Sequence, residues 1–238
     1  MDNNFNFTYA NLKDFLLHMK TVAPVIPLRQ APEAKGGFII LRHDVDLDIY
    51  PAYILGKLEK KLGIRSSFFI MTTCPYYNPL SKKNRRLLRQ IIDDGHEIGL
   101  HFDPQIYPDY SNEELRKMAD LECRLLESIT KEKVKSVSLH EPVSSGNYII
   151  LEGYINAYHE DYFSEEKYIS DSYMEKSFLN KDPFQFVKRG KNKTCQVLLH
   201  PCQFTEKGGN FKEILEDFII RIKSDCDKSF KNLIRDNA

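Results

Sequence analysis

The chain has 238 residues, of which 42% are hydrophobic and 29% are charged, a composition typical of a globular protein with a substantial core. Its net charge is zero, which gives no electrostatic support for a nucleic-acid or acidic-membrane partner. No run approaches the roughly 18 apolar residues of a membrane span, and the N-terminus lacks a signal-peptide pattern. The five cysteines are scattered without a CxxC pair, so we expect reduced thiols in a cytoplasmic protein.

Apolar strand-like runs alternate with amphipathic helical runs. GGFIILRHD precedes YPAYILGKLEKKLG, whose apolar residues recur at helical spacing. The strand-like run RSSFFIM is followed by the helical run SKKNRRLLRQIIDDG, and Gly95 is well placed to end that helix. The strand-like run HEIGLHF is followed by SNEELRKMADLECRLLESIT, where Ser111 and Glu114 form a capping-box pattern. KSVSLH, a less regular stretch over 143–190, CQVLLH and a final helix, FKEILEDFIIRIKS, complete the chain.

This alternation predicts βαβ units around a parallel sheet, with strand ends recurring about every thirty residues. No linker or low-complexity segment interrupts the sequence. We therefore expect a single domain over residues 1–238, with an N-terminal helical extension over about residues 1–30.

Polar residues close the predicted strands, which is where the site of a βα protein forms. Three of the seven histidines stand at such a strand end. Strand alternation places His101 and Asp103 on one face, opposite the apolar residues of their strand, and we expect the polar faces to point together into a barrel mouth. The strand-end candidates, in chain order, are Asp44, Asp46, His101, His140, Asp171 and His200.

Imidazole and carboxylate groups together suit zinc or another borderline divalent ion. DVDLD resembles the start of a calcium loop, but Ile49 and Leu55 stand where that loop needs Gly and Glu. HEIGLH resembles the zincin helix, but His96 and His101 would diverge by about 140° on a helix. Only His101 is expected to serve the site, while His43 and His96 face away as hydrogen-bonded supports.

Some of these acids also have structural interpretations. Asp44 and Asp46 could form ion pairs with Arg42 or a lysine, although the nearby histidine favours a metal site. Asp171 either orients a catalytic histidine or caps a loop. Asp48 is expected to be the N-cap of the following helix.

The segments RHDVD, GHEIGLH, SLHEP and LLHP, in this order and spacing, resemble the polysaccharide deacetylase (NodB-homology) superfamily. They are most similar to its branch of deacetylases associated with bacterial surface-glycan biosynthesis, and the resemblance covers residues 36–202. It implies an α/β fold, a deformed (β/α) barrel of about seven strands. It also implies a divalent metal ion and the removal of an acetyl group from an acetamido or O-acetyl sugar.

The resemblance also implies roles for individual residues. Asp44 takes the position of the catalytic base and Asp46 that of the metal-binding carboxylate. His101 matches the first histidine of the second motif, and His200 in LLHP matches the general acid. Residues expected to support these groups or to contact substrate are Arg42, Asp103, Pro142 and Asp171.

The chain departs from the family pattern at two positions. Gln105 stands where the family has a second histidine ligand, and His140 stands where it has an arginine before proline. A glutamine is a weak zinc donor, whereas His140 ends the next strand at about the height of the first ligand histidine. We predict a zinc site formed by Asp46, His101 and His140, with Asp103 as the alternative third ligand.

The sequence thus predicts a metal-dependent hydrolase that removes an acetyl group from a sugar or glycan precursor in surface-polysaccharide biosynthesis. One alternative is a metal-dependent amidase that acts on a small non-sugar amide. Another is a catalytically inactive, glycan-binding protein. The presence of both Asp44 and His200 beside the ligands favours an enzyme, because a binding protein needs neither. The oligomeric state stays open.

Overall fold

The structure, a computed structural model, describes residues 5–142, 148–172, 178 and 181–236. The strands are β1 (Val25–Ile26), β2 (Phe38–Val45), β3 (Ser67–Ile70), β4 (Glu97–Phe102), β5 (Ser136–Leu139), β6 (Ile155–Asn156), β7 (Tyr168–Ser170) and β8 (Thr194–Leu199). The α-helices are α1 (Tyr9–Val22), α2 (Ile49–Lys61), α3 (Lys82–Asp93), α4 (Asn112–Thr130), α5 (Pro183–Phe186) and α6 (Phe211–Asp236). None of the helices in this part of the chain is long and apolar enough to span a bilayer.

The strands form one parallel sheet in the order β6-β5-β4-β3-β2-β8-β7, and β1 pairs separately with β2. Strand β2 lies centrally, with Arg42 opposite Ser67 of β3 and Phe38 opposite Thr194 of β8. The seven strands of this path curl into a half-barrel with helices around it, the architecture of a deformed (β/α) barrel, which confirms the predicted fold class. Because all the pairs are parallel, the carboxyl ends of the strands meet at one rim.

The helix boundaries follow the capping signals of the sequence. Asp48 caps α2 by accepting a hydrogen bond from the amide of Tyr50 at 3.0 Å. Ser111 and Glu114 form the predicted capping box of α4. Helix α3 gives way to Gly95 at a φ of +93°, a conformation that glycine adopts without steric cost. The two N-caps place the starts of α2 and α4 at the rim that carries the strand ends, after β2 and β4.

The barrel interior contains the polar face of β4. At its amino end, Glu97 accepts hydrogen bonds from the hydroxyls of Ser67 and Ser136, both at 2.6 Å. At Gly99 a Cβ would stand 2.5 Å from the ring of Phe69, so the glycine makes room for that ring. The next residue on this face is His101, and the predicted alternation of β4 is therefore confirmed.

The opposite face of the sheet holds a buried polar network under α2. Glu59 accepts hydrogen bonds from Nε2 of His43 at 2.6 Å and from the hydroxyl of Ser66 at 2.5 Å. His96 accepts the amide of Ser66 and donates from Nε2 to the carbonyl of Gly56 at 3.0 Å. His43 and His96 are thus hydrogen-bonded supports on the face of the sheet opposite the barrel interior, as predicted.

The N-terminal segment packs into the core. The expected N-terminal helical extension over about residues 1–30 contains one α-helix, α1. Its buried face consists of Leu12, Phe15, Leu16 and Met19, which are fully buried. Strand β1 and a 3₁₀ turn over 28–33 follow it. The less regular stretch over 143–190 supplies β6, β7 and α5, and its residues 143–147, 173–177 and 179–180 lie outside the described residues.

Candidate metal centre and active site

Three side chains converge at the rim, from the ends of β2, β4 and β5. Oδ1 of Asp46 lies 3.1 Å from Nε2 of His101, and that nitrogen lies 3.2 Å from Nδ1 of His140. One ligating atom from each of the three residues lies within 4.8 Å of the other two. The amide of His140 donates to the carbonyl of Phe102 at 2.8 Å, which extends the β4–β5 pairing and fixes the height of the ring. The structure therefore brings together the three residues predicted as ligands.

These residues fit a divalent ion. Oδ1 of Asp46 is buried without a hydrogen-bond partner in the described structure, although two imidazole nitrogens stand beside it. A buried, partnerless carboxylate oxygen is costly unless a cation or donor satisfies it. One carboxylate and two imidazoles form the donor set that zinc and similar borderline ions prefer, with a position left open for water or substrate.

The charges of the cluster act on one another. Burial raises the pKa of Asp46, but its close contact with His101 and the charges of the neighbouring imidazoles outweigh burial and hold the pKa well below its ordinary value. Burial and the neighbouring His101 lower the pKa of His140. An ionised carboxylate beside a neutral imidazole is the protonation state that metal binding requires.

Asp44 stands next to this cluster with its two oxygens in different surroundings. Oδ2 accepts hydrogen bonds from Nη2 of Arg42 at 3.2 Å and from the hydroxyl of Ser138 at 3.1 Å, and it lies 3.9 Å from Nδ1 of His101. Oδ1 is buried and has no hydrogen-bond partner among the described residues. The carboxylate is thus held through one oxygen, and the other is left to accept a proton.

Arg42 is fully buried inside the barrel, and it supports Asp44. Its guanidinium donates to the hydroxyl of Tyr158 at 2.8 Å and to Oε1 of Gln196 at 3.3 Å, and it lies 4.6 Å from the centroid of the Tyr158 ring. Burial lowers the pKa of Arg42, but the charge of Asp44 outweighs burial and raises it, so the guanidinium stays charged. The sequence singled out Arg42 but neither Tyr158 nor Gln196. The alternating polar position of Gln196 within CQVLLH was the available signal for one of them.

His200 follows β8 and lies beside the cluster. Its Nδ1 donates to Oδ1 of Asp171 at 2.6 Å, and its amide donates to Oδ2 at 2.9 Å. Nε2 lies 3.6 Å from Oδ2 of Asp46. Burial lowers the pKa of His200, but the charge and hydrogen bond of Asp171 outweigh burial and raise it to about 9. Of the two interpretations of Asp171, the contact with His200 corresponds to orienting a histidine.

The remaining predicted residues lie at the margin. Asp103 is half-buried and accepts a hydrogen bond from the amide of Gln105 at 3.0 Å, which makes it the N-cap of a 3₁₀ turn. Gln105 itself is exposed. Pro142 is buried just after His140. Asp103 does not belong to the group of His, Cys, Asp and Glu ligating atoms that the described residues form.

No family model and no curated protein matches the sequence. Among solved structures, a carbohydrate esterase family 4 pseudoenzyme from Bacillus anthracis is 17% identical with a TM-score of 0.48, and 80% of this chain matches 62% of that one. The esterase domain of a multidomain xylanase from the hindgut metagenome of Trinervitermes trinervoides is 15% identical with a TM-score of 0.49, over 80% of this chain and 85% of that one.

The chitin deacetylase of Colletotrichum lindemuthianum is also similar, at 17% identity and a TM-score of 0.48, over 79% of this chain and 83% of that one. The chain spans about three fifths of the length of the Bacillus anthracis protein (62%). These three structures are a family 4 pseudoenzyme, an esterase domain and a deacetylase. At this identity the likeness concerns the chain fold, and the side chains of the site carry the functional argument.

Proposed function

We propose that the protein is a metal-dependent hydrolase that removes an acetyl group from an acetylated sugar. One observation carries this proposal: the three candidate metal ligands stand at the same rim as a carboxylate, Asp44, and an imidazolium, His200. Asp44 offers a buried oxygen without a partner among the described residues, and His200, held by Asp171, lies 3.6 Å from Asp46. Hydrolysis of an amide or ester needs a base for the water and an acid for the leaving group.

Asp44 is proposed as the general base. Its Oδ2 is fixed by Arg42 and Ser138, so the carboxylate cannot turn away from the site without breaking both hydrogen bonds. Oδ1 would accept the proton of a water that attacks the acetyl carbonyl carbon.

His200 is proposed as the general acid. Asp171 occupies Nδ1, so the proton at Nε2 is the one that faces the cluster. With a pKa of about 9, the ring is an imidazolium at neutral pH and can protonate the departing nitrogen or oxygen. Base and acid come from the carboxyl ends of the neighbouring strands β2 and β8, so both groups stand at the same rim.

Asp46, His101 and His140 would hold the ion. When bound there, a divalent ion lowers the pKa of a water and polarises the acetyl carbonyl, which supplies the Lewis-acid chemistry of the reaction. We propose zinc, because one carboxylate and two imidazoles suit it. His140 thereby replaces the second histidine that the family motif would carry at Gln105.

The substrate that we propose is an acetylated sugar of a bacterial surface-glycan precursor, as the resemblance of the motifs implies. The direct test is acetate release from a panel of N-acetylated and O-acetylated sugars, nucleotide-sugars and short glycans, with small non-sugar amides beside them. The protein is first stripped with chelator and then reloaded with zinc, cobalt or nickel. The matched control is Asp44→Asn with the same metal content.

We expect acetate from at least one acetylated carbohydrate, only after reloading, and none from the Asp44→Asn control. Acetate release from the small amides alone would mean that the substrate is a small non-sugar amide and not a sugar. Carbohydrate binding without acetate from any panel member, by protein with bound metal, would contradict the hydrolase and support the glycan-binding alternative.

A further inference from the structure

The loop between β3 and α3, residues 71–81, holds the backbone at the end of β2, where Asp46 stands. Tyr77 of this loop is half-buried and packs against the core. Its hydroxyl donates to the carbonyl of Val45 at 2.7 Å and accepts the amide of Met71 at 3.0 Å. One phenol group thus bridges the ends of β2 and β3.

This bridge takes the place of a strand-pairing hydrogen bond. Val45 belongs to the last pair of β2 and β3, so a continued ladder would join its carbonyl to the amide of Met71. At the end of β4 and β5 the corresponding groups pair directly, since the amide of His140 donates to the carbonyl of Phe102 at 2.8 Å. The Tyr77 hydroxyl therefore keeps the ends of β2 and β3 one hydroxyl group apart.

A second donor from the same loop holds the next peptide group. The thiol of Cys74 donates to the carbonyl of Asp46 at 3.2 Å, and the amide of Tyr76 donates to the same sulfur at 3.4 Å. The peptide groups before and after the Cα of Asp46 are thus both hydrogen-bonded to the loop. Holding both fixes the direction of the Cα–Cβ bond, because φ and ψ are the only soft backbone dihedrals of a residue.

Asp46 depends on this support because little else fixes it. It stands beyond the last residue of β2, whereas His101 lies within β4. Its Oδ1 is buried and has no hydrogen-bond partner among the described residues. The direction of the Asp46 side chain is therefore set by the backbone that the loop holds.

We propose that Tyr77, together with Cys74, is a positioning residue of the metal centre, which raises zinc affinity by fixing the backbone of Asp46. A ligand that is held in place before the ion arrives loses less conformational freedom on binding. Partners that hold a metal ligand typically contribute 10–100-fold to metal affinity. The inference rests on the metal centre of the proposed hydrolase, but the quantity that it concerns is metal affinity and not turnover.

The first test removes one hydroxyl. Tyr77→Phe lets the two bridged backbone groups pair directly, which draws the end of β2 toward β3 and displaces Asp46. The zinc affinity of the stripped protein, measured by isothermal titration, should fall at least about tenfold. Tyr154→Phe is the matched control, since Tyr154 is also half-buried and its hydroxyl also donates at 2.7 Å, but to Asp120 on α4. Its zinc affinity should equal that of the wild type.

Two further measurements separate positioning from a general loss of stability. Both variants lose one hydrogen-bonded hydroxyl, so thermal unfolding of both stripped proteins should begin slightly below the wild-type temperature. The visible absorption of the cobalt-loaded protein reports the geometry of its ligands. That spectrum should change in Tyr77→Phe and stay the same as the wild type in Tyr154→Phe.

Cys74 supplies a conservative comparison at the second contact. Cys74→Ala removes the donor to the carbonyl of Asp46 and should weaken zinc binding, by less than Tyr77→Phe does because a thiol is a weak donor. Cys74→Ser keeps a donor at the same place and should bind zinc more tightly than Cys74→Ala. This pair decides the inference if Tyr77→Phe does not fold.

Zinc affinity of Tyr77→Phe equal to that of the wild type would overturn the inference. An equal loss in Tyr154→Phe would also overturn it, because any lost hydroxyl would then have the same effect. Equal zinc affinities of Cys74→Ala and Cys74→Ser would overturn the part assigned to Cys74.

The same titrations distinguish this inference from the proposed function. A wild type that binds neither zinc nor cobalt would overturn the metal centre and the positioning role together. A wild type that binds zinc but releases no acetate would contradict only the hydrolase, and a tenfold loss of zinc affinity in Tyr77→Phe would still support the positioning role.

Discussion

Asp171 holds His200 at two points: its Oδ1 lies 2.6 Å from Nδ1 of the ring, and its Oδ2 accepts the backbone amide of the same residue at 2.9 Å. The two contacts fix both the ring orientation and the nitrogen that carries the outward proton. They also keep the ring charged, because the carboxylate outweighs burial and raises the pKa of His200 to about 9. Asp171 is therefore placed to set the pH range in which His200 can act as an acid.

The first prediction concerns the pH dependence of catalysis. A group with a raised pKa is protonated below that pKa and loses its proton as the pH rises through it, so activity should fall on the alkaline side as the pH passes about 9. Asp171→Asn removes the main influence that raises the pKa, so the alkaline limb of kcat should move to lower pH. The pH profile of kcat, measured with saturating metal, checks this.

The surface pair of His159 and Asp161, 3.3 Å apart, offers a matched control. Asp161→Asn removes a carboxylate from a histidine outside the site and should leave the profile unchanged. An alkaline limb that Asp171→Asn does not move would mean that another group is the acid.

The second prediction separates the roles of the two acids of RHDVD. Asp44→Asn keeps the side-chain shape but removes the base, so turnover should fall roughly 10²–10⁴-fold while the metal content is retained. Asp46→Asn should lower the metal content instead, because its Oδ1 faces both ligand histidines. Turnover and elemental analysis of both variants measure this. If Asp44→Asn lost the metal while Asp46→Asn kept it, the two roles would be reversed.

The fold was predictable from periodicity because most of its strands are buried runs between amphipathic helices. All eight residues of β2 are buried, and so are those of β3, β4 and β5. Strands β6 and β7 were harder, since they contain two and three residues and are only partly buried. In so short a run, the alternation of apolar and polar residues cannot distinguish a strand from a loop. Only the pairing of β6 with β5, and of β7 with β8, shows that these runs are strands.

The site was predictable in part because parallel strands bring their ends to one rim whatever their distance in sequence. From that rule the sequence predicted that Asp46, His101 and His140 lie together, and the structure brings them together. It could not identify Tyr158 as a partner of Arg42, because Tyr158 follows the two-residue β6 and its hydroxyl reaches the barrel interior from outside the motif. Nor could it identify Glu59, which lies in a stretch of α2 where charged residues are typical of a solvated face.

The third prediction concerns stability. Glu59→Ala would leave the Nε2 donor of His43 buried without an acceptor, and loss of one partner of a buried pair costs about 3–5 kcal/mol. The free energy of unfolding should fall by about that amount in denaturant titrations. Glu113→Ala, on the exposed face of α4, is the control and should change it by less than about 0.5 kcal/mol.

The same network predicts an acid dependence. Burial raises the pKa of Glu59, but the charge of His43 and its hydrogen bond outweigh burial, so the pKa lies below its ordinary value. A carboxyl with a lowered pKa stabilises the fold above its unfolded-state pKa of about 4.3, and that contribution is lost as the pH falls through the folded value. The gap in stability between wild type and Glu59→Ala should therefore narrow in acid. A gap that is constant with pH would mean that Glu59 acts through packing alone.

The last prediction decides the third metal ligand. His140 presents Nδ1 to the cluster, 3.2 Å from Nε2 of His101 and 3.9 Å from Oδ1 of Asp46, whereas Asp103 uses a carboxylate oxygen to accept the amide of Gln105. His140→Ala should therefore weaken zinc binding by more than about 100-fold. This loss exceeds the 10–100-fold that is typical when a residue hydrogen-bonded to a metal ligand is removed. Asp103→Ala should bind zinc within a few-fold of wild type, and so should Gln105→Ala, the control for the family position. Isothermal titration of each stripped variant with zinc measures all three affinities. If only Asp103→Ala lost the ion, Asp103 would be the ligand, and His140 would then be a substrate-binding residue in the place of the family's arginine.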